Sequence, residues 1–296
     1  MRGVAGSWDS HHLADIDILV SNGFWFMYYV GVRYREERVK ESCIGLAVSN
    51  NGVVWKKYPK NPIVKPSLNY WWEKGTHDRI GVETPTVFQY KRKYYMIYSS
   101  IGYDRKYYLN AATSNNGVTW KKYEGNPILR PEKHYEGTHI DHPKVVKVND
   151  ILLMFYLGLR NKLESVLNVA FAKADEPFSW ERYSKNPILV ANKKLRTNPP
   201  FIIKLLLKLG LSVEKIRSLK KLLKKTSFIK QCYEGKLWDT WFIYRATPLV
   251  DNKRNIVFLK DKITLLYYSA YNYFSGLPSI GLTILDLSEV LYEARR

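Results

Sequence analysis

Three copies of one short motif recur along the 296-residue chain and constrain its fold more than any other feature. The first two copies begin at Ser49 and Ser114, and both read Ser-Asn-Asn-Gly-Val-X-Trp-Lys-Lys-Tyr. The tryptophans of the three copies, Trp55, Trp120 and Trp180, are 65 and 60 residues apart, and each is followed by an Asn-Pro-Ile triplet. A repeat of this length indicates that one supersecondary unit is used several times.

The Asn-Gly pair in the first two motifs predicts a hairpin tip. Asn-Gly between strand-like segments favours a tight turn in which both central residues have positive φ. We interpret the motif as a structural turn with a tryptophan anchor, and we expect no catalytic role for it.

A second repeat precedes each hairpin and fixes the register of the units. The spacing from a strand start to the end of an aromatic strand is the same from Ile16 to Tyr29, Pro85 to Tyr98 and Pro143 to Tyr156. A fourth copy starts at Pro248 and reaches its aromatic strand after a longer turn. Each unit therefore reads as four short antiparallel strands in about 60 residues, which is typical of a β-propeller blade.

The period and the chain length together predict an all-β, five-bladed β-propeller that forms a single domain over residues 1–296. Four blades are recognisable in the sequence. We expect the fifth to come from the chain ends or from residues 190–245, or to be incomplete.

Residues 192–232 interrupt the repeat, and we interpret them as a basic α-helical insertion. The formal net charge is +20, and the segment from Lys193 to Lys230 contains 12 Lys or Arg against one acid, Glu214. Leucine and isoleucine fall on one predicted helical face and lysine on the other. Three alternatives remain open: a helix packed on the propeller with a solvated basic face, a contact of residues 200–230 with an anionic membrane or polyanion, or a lid.

Composition excludes several classes of protein. Hydrophobic residues make up 46% and charged residues 25%, which excludes bulk disorder. Two cysteines cannot form a disulfide framework, and no apolar stretch approaches the roughly 18 residues of a spanning helix. Because half of the positive charge is local, we predict no nucleic-acid partner. We expect a cytoplasmic, at most peripheral, protein without a signal peptide.

Carboxylates recur at the predicted strand starts, where the inner strands of a propeller open into its central pocket. Asp15 stands there in the first unit, Glu83 in the second and Asp141 in the third. Buried carboxylates are costly unless they are paired or used, so their convergence points to a functional site. The alternative is that they cap strand starts or pair with Arg79 and Arg245.

This arrangement resembles the five-bladed β-propeller glycosidases, which include glycoside hydrolase families 43, 32, 68 and 62 and the related family 130. The resemblance covers most of the chain outside residues 192–232. It implies Asp15 as base or nucleophile, Glu83 as general acid, and Asp141 as the group that tunes the acid or binds a substrate hydroxyl. Glycoside cleavage requires such a pair of carboxyl groups across the scissile bond.

Several further residues near the strand starts are predicted to bind the substrate. These are His77, Asp78, Arg79, His139, His142, Arg245 and Trp72. Trp8 and Trp71 are further aromatic side chains that could stack on a sugar face. No metal-ligand spacing is present, so no cofactor is predicted, although a structural Ca²⁺ at the axis stays open.

The stretch from Gly81 to Pro85 resembles the Gly-Val-Glu-Asp-Pro-Arg segment of family 130, with Thr84 in place of the aspartate that serves there as proton donor.

Taken together, these features predict a glycosidase, a hydrolase that acts on an oligo- or polysaccharide. Two alternatives stay open: a catalytically inactive carbohydrate-binding propeller, and a glycoside phosphorylase of the family 130 type.

Overall fold

The computed structural model describes residues 6–36, 38–161, 164–190, 242–251, 253–271 and 278–295, together with Gly3. The first two groups of strands are β1 (His12–Ser21), β2 (Phe24–Arg35), β3 (Val39–Ser49) and β4 (Lys56–Lys57), then β5 (Arg79–Tyr90), β6 (Lys93–Ile101), β7 (Tyr107–Ser114) and β8 (Lys121–Lys122). The third group is β9 (Ile140–Val148), β10 (Ile151–Asn161), β11 (Glu164–Lys173), β12 (Glu181–Arg182) and β13 (Leu189–Val190). The fourth is β14 (Phe242–Pro248), β15 (Ile263–Tyr271) and β16 (Pro278–Asp286), followed by helix α1 (Ser288–Glu293).

Each group forms an antiparallel sheet, and the four sheets are arranged as the blades of a propeller. The inner strands contact one another in order, β1 with β5, β5 with β9 and β9 with β14. The hydrophobic core lies between successive blades in three clusters, the last of which also includes α1. The predicted all-β propeller and its four recognisable blades are confirmed. The predicted helical insertion at 192–232 lies outside the described residues.

The repeated motif forms the predicted hairpin between the third and fourth strands of a blade. β3 pairs antiparallel with β4, and β7 with β8. The prediction that both central residues of the turn have positive φ was wrong, because only the glycine of each copy, Gly52 or Gly117, has positive φ. The side chains of Ser49 and Asn51 stabilise the turn instead, by accepting hydrogen bonds from the backbone amides that follow them.

The asparagine of each Asn-Pro-Ile triplet binds the third strand of its own blade. Asn126 Oδ1 accepts a hydrogen bond from the Ala111 amide over 2.7 Å, and its Nδ2 donates to the Ala111 carbonyl over 2.9 Å. Asn61 and Asn186 make the same two bonds in the first and third blades. The side-chain oxygen thus satisfies the strand amide, and the side-chain nitrogen adds a second donor to a carbonyl that also accepts from a backbone amide, that of Tyr123 in the second blade.

A buried carboxylate anchors each of the first three blades from the segment that precedes it. In the second blade, Glu73 accepts a hydrogen bond from Tyr98 and forms an ion pair with Lys122 of β8. The equivalent groups are Asp9 with Tyr29 and Lys57 in the first blade, and Glu136 with Tyr156 and Arg182 in the third. These tyrosines end the aromatic strands of the sequence repeat. The spacing between strand start and tyrosine therefore repeats because this cluster of carboxylate, tyrosine and cation repeats in each of these blades.

The inner strands bulge at the positions that the sequence repeat marks as strand starts. Register breaks span Ala14 to Asp17 in β1, Glu83 to Thr86 in β5 and Asp141 to Lys144 in β9. The residue before the Ile or Pro of each start, Asp15, Thr84 or His142, has a left-handed backbone, with φ of 45°, 49° and 51°. Bulges re-aim side chains, and here they turn three equivalent residues into the centre of the molecule.

The fourth sheet departs from the predicted register. Its break lies between Ile243 and Arg245, before Pro248, which pairs regularly with Leu266. The prediction that placed the strand start at Pro248 was therefore wrong. Among the described residues, no helix is long and apolar enough to cross a membrane.

Candidate active site

A cavity of about 260 Å³ opens where the bulged ends of the inner strands meet. Its polar lining comes from the first three blades and consists of His12, Asp15, Lys40, Arg79, Glu83, Thr84, Tyr107, His139, Asp141, His142 and Ser165. The three predicted carboxylates, Asp15, Glu83 and Asp141, all line it. A concave site with several convergent titratable groups is the usual form of a small-molecule active site.

Glu83 is held as a carboxylate by the surrounding cations. Arg79 Nη2 donates to both of its oxygens, at 2.7 and 3.0 Å, Ser42 Oγ donates over 2.6 Å, and Lys40 Nζ lies 3.6 Å away. Burial alone raises the pKa of Glu83, but Arg79 and Lys40, with the Ser42 hydrogen bond, outweigh it and hold the pKa at about 2. A group in this state is ionised at neutral pH and has no proton to donate.

The two other carboxylates lie on either side of one imidazole. His142 Nδ1 is 3.6 Å from Asp15 Oδ1, and His142 Nε2 is 3.9 Å from Asp141 Oδ2. Because the imidazole nitrogens are about 2 Å apart, the two carboxylates are at most about 10 Å apart, the scale of paired carboxylates in glycoside cleavage. The His142 side chain is buried, whereas Asp15 and Asp141 keep 18% and 19% of theirs exposed to the cavity.

Asp141 is oriented by its neighbours in the second blade and in its own strand. Thr84 Oγ1 donates to Asp141 Oδ1 over 2.8 Å, and the backbone amide of His142 donates to the same oxygen over 2.7 Å. Ser99 Oγ lies 2.7 Å from Thr84 Oγ1 and fixes the threonine. Both described donors thus bind Oδ1, which turns Oδ2 towards His142 Nε2.

The remaining imidazoles of the cavity are held neutral. Burial lowers the pKa of His139, which stacks on Tyr107 with ring centroids 4.5 Å apart, and Arg79 lowers it further against the opposing effect of Asp141. Burial also lowers the pKa of His12, helped by Lys40. Neutral imidazoles can both donate and accept hydrogen bonds, which suits recognition of sugar hydroxyls.

The pairing of neighbouring blades brings some of these groups together. β3 pairs in parallel with β5 over three residues, which places Lys40 opposite Arg79 and Ser42 opposite Gly81. Between the second and third blades, Tyr107 and His139 form an equivalent parallel bridge. Nothing in the sequence marked Lys40, Ser42 or Tyr107, because their partners are in other blades.

Among the residues predicted to bind substrate, Arg79, His139 and His142 line the cavity, and four others do not. The side chains of His77 and Asp78 are mostly exposed and pair with each other and with Thr76 outside the cavity. Trp72 stacks on Tyr70 with centroids 4.9 Å apart, and Arg245 donates to the carbonyls of Ile16 and Pro85. Trp8 and Trp71, the other two aromatic candidates, are also absent from the lining.

Trp8 packs within the first blade, where it contacts the Gly31 and Gly45 backbone and stacks near Tyr29. Trp71 packs edge-on against Tyr108, with ring centroids 5.0 Å apart. In the part of the chain that the structure describes, no group of three or more His, Cys, Asp or Glu side chains is arranged to hold a metal ion.

The fold is similar to that of β-propeller enzymes that process glycosides, so the predicted resemblance is confirmed at the level of the fold. The sequence model of glycoside hydrolase family 130, described as beta-1,4-mannooligosaccharide phosphorylase, matches residues 12–125. This range spans β1 to β8 and includes Asp15 and Glu83.

Individual relatives are distant, and this chain matches less than two thirds of the length of the first two described below. A 1,2-beta-oligomannan phosphorylase of Thermoanaerobacter sp. (strain X514) is 23% identical over 134 residues, 43% of each protein. The beta-1,2-mannobiose phosphorylase of Listeria innocua has a TM-score of 0.57 and 13% identity, over 97% of this chain and 62% of that one. An alpha-L-arabinofuranosidase of Lactobacillus brevis has a TM-score of 0.59 and 12% identity, over 96% and 75%. These structural similarities establish the fold.

Proposed function

We propose that this protein cleaves glycosidic bonds of an oligo- or polysaccharide in the central cavity, with Asp15 and Asp141 as the reacting pair of carboxyl groups. The observation that supports this most directly is their position on opposite sides of His142, both open to the cavity. Two carboxyl groups across a scissile bond are the minimum that acid-assisted glycoside cleavage by water requires.

Asp141 is the better candidate for the general acid. Thr84 and the His142 amide donate to Oδ1, so Oδ2, 3.9 Å from His142 Nε2, is the oxygen that would transfer a proton to a leaving-group oxygen. Glu83, to which the sequence assigned this role, lacks a proton because its pKa is about 2. We therefore assign Glu83 to holding Arg79 and Lys40 and to accepting hydrogen bonds from substrate hydroxyls.

Asp15 would then act as the base or nucleophile. The His142 Nδ1 lies 3.6 Å from Asp15 Oδ1, and part of the carboxyl group is open to the cavity. Asp15 would activate a water molecule or attack the anomeric carbon itself, while Asp141 protonates the departing oxygen.

The roles can be separated with two variants and two kinds of substrate. Asp141→Asn should lose at least about 100-fold in kcat/KM on unactivated mannosides, arabinosides and fructosides. It should retain far more activity on dinitrophenyl glycosides, whose leaving group needs no protonation. Asp15→Asn should lose activity on both kinds of substrate.

Asp78→Asn is a matched control, because Asp78 is an exposed aspartate near the same strand start but outside the cavity. It should leave turnover unchanged. If Asp141→Asn loses turnover of natural and activated substrates to the same extent, Asp141 is not the general acid. Glycan binding without any turnover by the parent would instead support the inactive carbohydrate-binding propeller.

Phosphate is the second candidate acceptor, and the family 130 match over residues 12–125 favours it. Both mannan-related relatives are named as phosphorylases. In this chain, Lys40 and Arg79 provide positive charge in the same cavity, and cations of this kind bind phosphate oxygens. Because phosphate is itself an anionic nucleophile, such a reaction would need Asp141 more than Asp15.

Product analysis distinguishes the two acceptors. A phosphorylase releases a sugar 1-phosphate and needs inorganic phosphate for turnover, whereas a hydrolase releases the free sugar at the same rate in a phosphate-free buffer. With a phosphorylase, Asp15→Asn should also retain much of its activity, which gives an independent check on the product assay.

A further inference from the structure

One group of side chains at the propeller axis takes residues from all four described blades. The first paired residues after the register breaks are Asp17 in β1, Thr86 in β5, Lys144 in β9 and Arg245 in β14. The breaks of the first three blades are equivalent, and Arg245 of the fourth lies close enough for its charge to act on Asp17 and Lys144. Arg254, in the connection between β14 and β15, reaches the same place and bonds to Asp17.

This group contains three cations and one carboxylate. Asp17 accepts hydrogen bonds from Lys144 Nζ over 2.7 Å and from Arg254 Nη2 over 2.6 Å, and it is almost fully buried. Among the described residues, Arg245 donates to the carbonyls of Ile16 and Pro85, and it is partly exposed. The buried groups Asp17, Lys144 and Arg254 therefore carry one more positive than negative charge, to which Arg245 adds a second at the edge, and an excess charge is unfavourable where water is largely excluded.

Arg254 also has donors that the rest of the described chain leaves unused. Its side chain is 6% exposed, and its Nε and Nη1 are buried without a hydrogen-bond partner. Its Nη2 is fully engaged with Asp17 and the Ile18 carbonyl. A buried N–H of a charged group that makes no hydrogen bond costs about 1–3 kcal/mol or more, so a bound partner of negative charge is strongly favoured.

We propose that this group of side chains binds a small inorganic anion of the chloride type, next to Arg254 and Lys144. A water molecule would satisfy an N–H group but leave the excess positive charge. A monovalent ion is favoured over phosphate, because the surrounding groups are buried and a divalent ion loses more hydration free energy on entry. The site is distinct from the cavity that contains Asp15 and Asp141, and it requires no turnover.

The titration of Lys144 is consistent with an excess of positive charge. Burial lowers the pKa of its ammonium group to about 8, with Arg254 and Arg245 contributing in the same direction and Asp17 opposing them. The charged groups that face Lys144 are thus Asp17, Arg254 and Arg245. Loss of the Lys144 proton above pH 8 should weaken anion binding.

Anion-specific stabilisation tests the site in solution. The thermal midpoint of the parent would be measured in sodium chloride, bromide, phosphate and gluconate at equal ionic strength. At a chloride concentration about ten times Kd, we expect a midpoint about 3 °C above that in gluconate, with a smaller difference at pH 9.5 than at pH 7. Lys144→Met should lose most of this difference. Lys121→Met, which removes an exposed lysine of β8, should keep it.

Crystals grown in sodium bromide provide the direct test and do not depend on any variant folding. An anomalous peak within hydrogen-bond distance of Arg254 Nε or Nη1, or of Lys144 Nζ, would support the proposal. Water density at that place in bromide, together with equal midpoints in chloride and gluconate, would overturn it. A phosphate effect that exceeds the chloride effect and competes with it would overturn the choice of a monovalent ion.

Discussion

Thr84 donates a hydrogen bond to Asp141 Oδ1 over 2.8 Å, across the boundary between the second and third blades. The family 130 segment that the stretch from Gly81 to Pro85 resembles has an aspartate at the position of Thr84. In this chain a carboxylate of the next blade lies beside the threonine, which orients it. The orientation of Asp141 thus depends on a residue of another blade.

Replacement of Thr84 should therefore change catalysis through Asp141. Thr84→Val removes the donor but keeps the shape, and we expect kcat to fall about tenfold with little change in KM, since one neutral hydrogen bond is worth about 1 kcal/mol. Thr84→Ser keeps the hydroxyl and should remain close to the parent. Steady-state kinetics on one natural substrate would measure both, and equal activity of the Val and Ser variants would contradict the orienting role.

Removal of the Glu83 charge should destabilise the fold. Glu83→Gln leaves the Arg79 and Lys40 cations beside a neutral group in a buried place, and breaking a buried pair costs about 3 kcal/mol or more. Urea unfolding would measure the loss. Glu124→Gln is the matched control, because Glu124 pairs with Lys121 on the surface, where an ion pair contributes at most about 1 kcal/mol.

Stability should fall steeply in acid. The pKa of Asp17 is held at about 2 because Arg254 and Lys144 outweigh the opposing effect of burial, and Glu83 also has a pKa of about 2. Both values are below those of the unfolded chain, so the stabilisation is complete above the unfolded pKa and is lost as the pH falls towards 2. Each group should account for about 2–3 kcal/mol of the free energy of unfolding.

The slope of unfolding free energy against pH, from pH 5 to pH 2, measures this effect. Asp17→Asn should make the slope shallower, because one of the two carboxylates no longer takes up a proton on unfolding. Asp175→Asn, at an exposed aspartate, should leave it unchanged. An identical slope in all three proteins would contradict the lowered pKa of Asp17.

The Asn-Pro-Ile triplets should stabilise the blades through their asparagines. Asn126→Ala leaves the buried amide of Ala111 without a partner, whereas the Ala111 carbonyl keeps the hydrogen bond from the Tyr123 amide, and we expect a loss of about 1–3 kcal/mol in the free energy of unfolding. Asn115→Ala, at an exposed asparagine of the same repeat, should change it by less than about 0.5 kcal/mol. Chemical denaturation of both variants would test the role of the triplet.

The blade repeat could be predicted from the sequence because its signals lie close together along the chain. The hairpin motif and the 13-residue spacing both lie within one blade, where turn chemistry and strand alternation act over a few residues. The convergence of Asp15, Glu83 and Asp141 followed from that register. The fourth blade was misplaced because no proline marks its bulge, between Ile243 and Arg245, and Pro248, which served as the marker, lies after the bulge.

The predicted roles rest on local sequence, whereas the surroundings of these residues depend on neighbours from other blades. Glu83 stood at a place typical of an acid, yet Lys40 and Ser42 approach it through the parallel pairing of β3 with β5, and they keep it ionised together with Arg79. His77 and Asp78 were close in sequence to the strand start but turn outwards in the segment before β5.

The sequence by itself determined the repeating four-strand unit, the hairpins and the set of carboxylates at the strand starts, because backbone propensity and periodicity act along the chain. Only the tertiary structure decided which carboxylate is locked in an ion pair, which is open to the cavity, and which residues meet at the axis. The reason is that charge interactions depend on distance in space, and the decisive distances join residues of different blades.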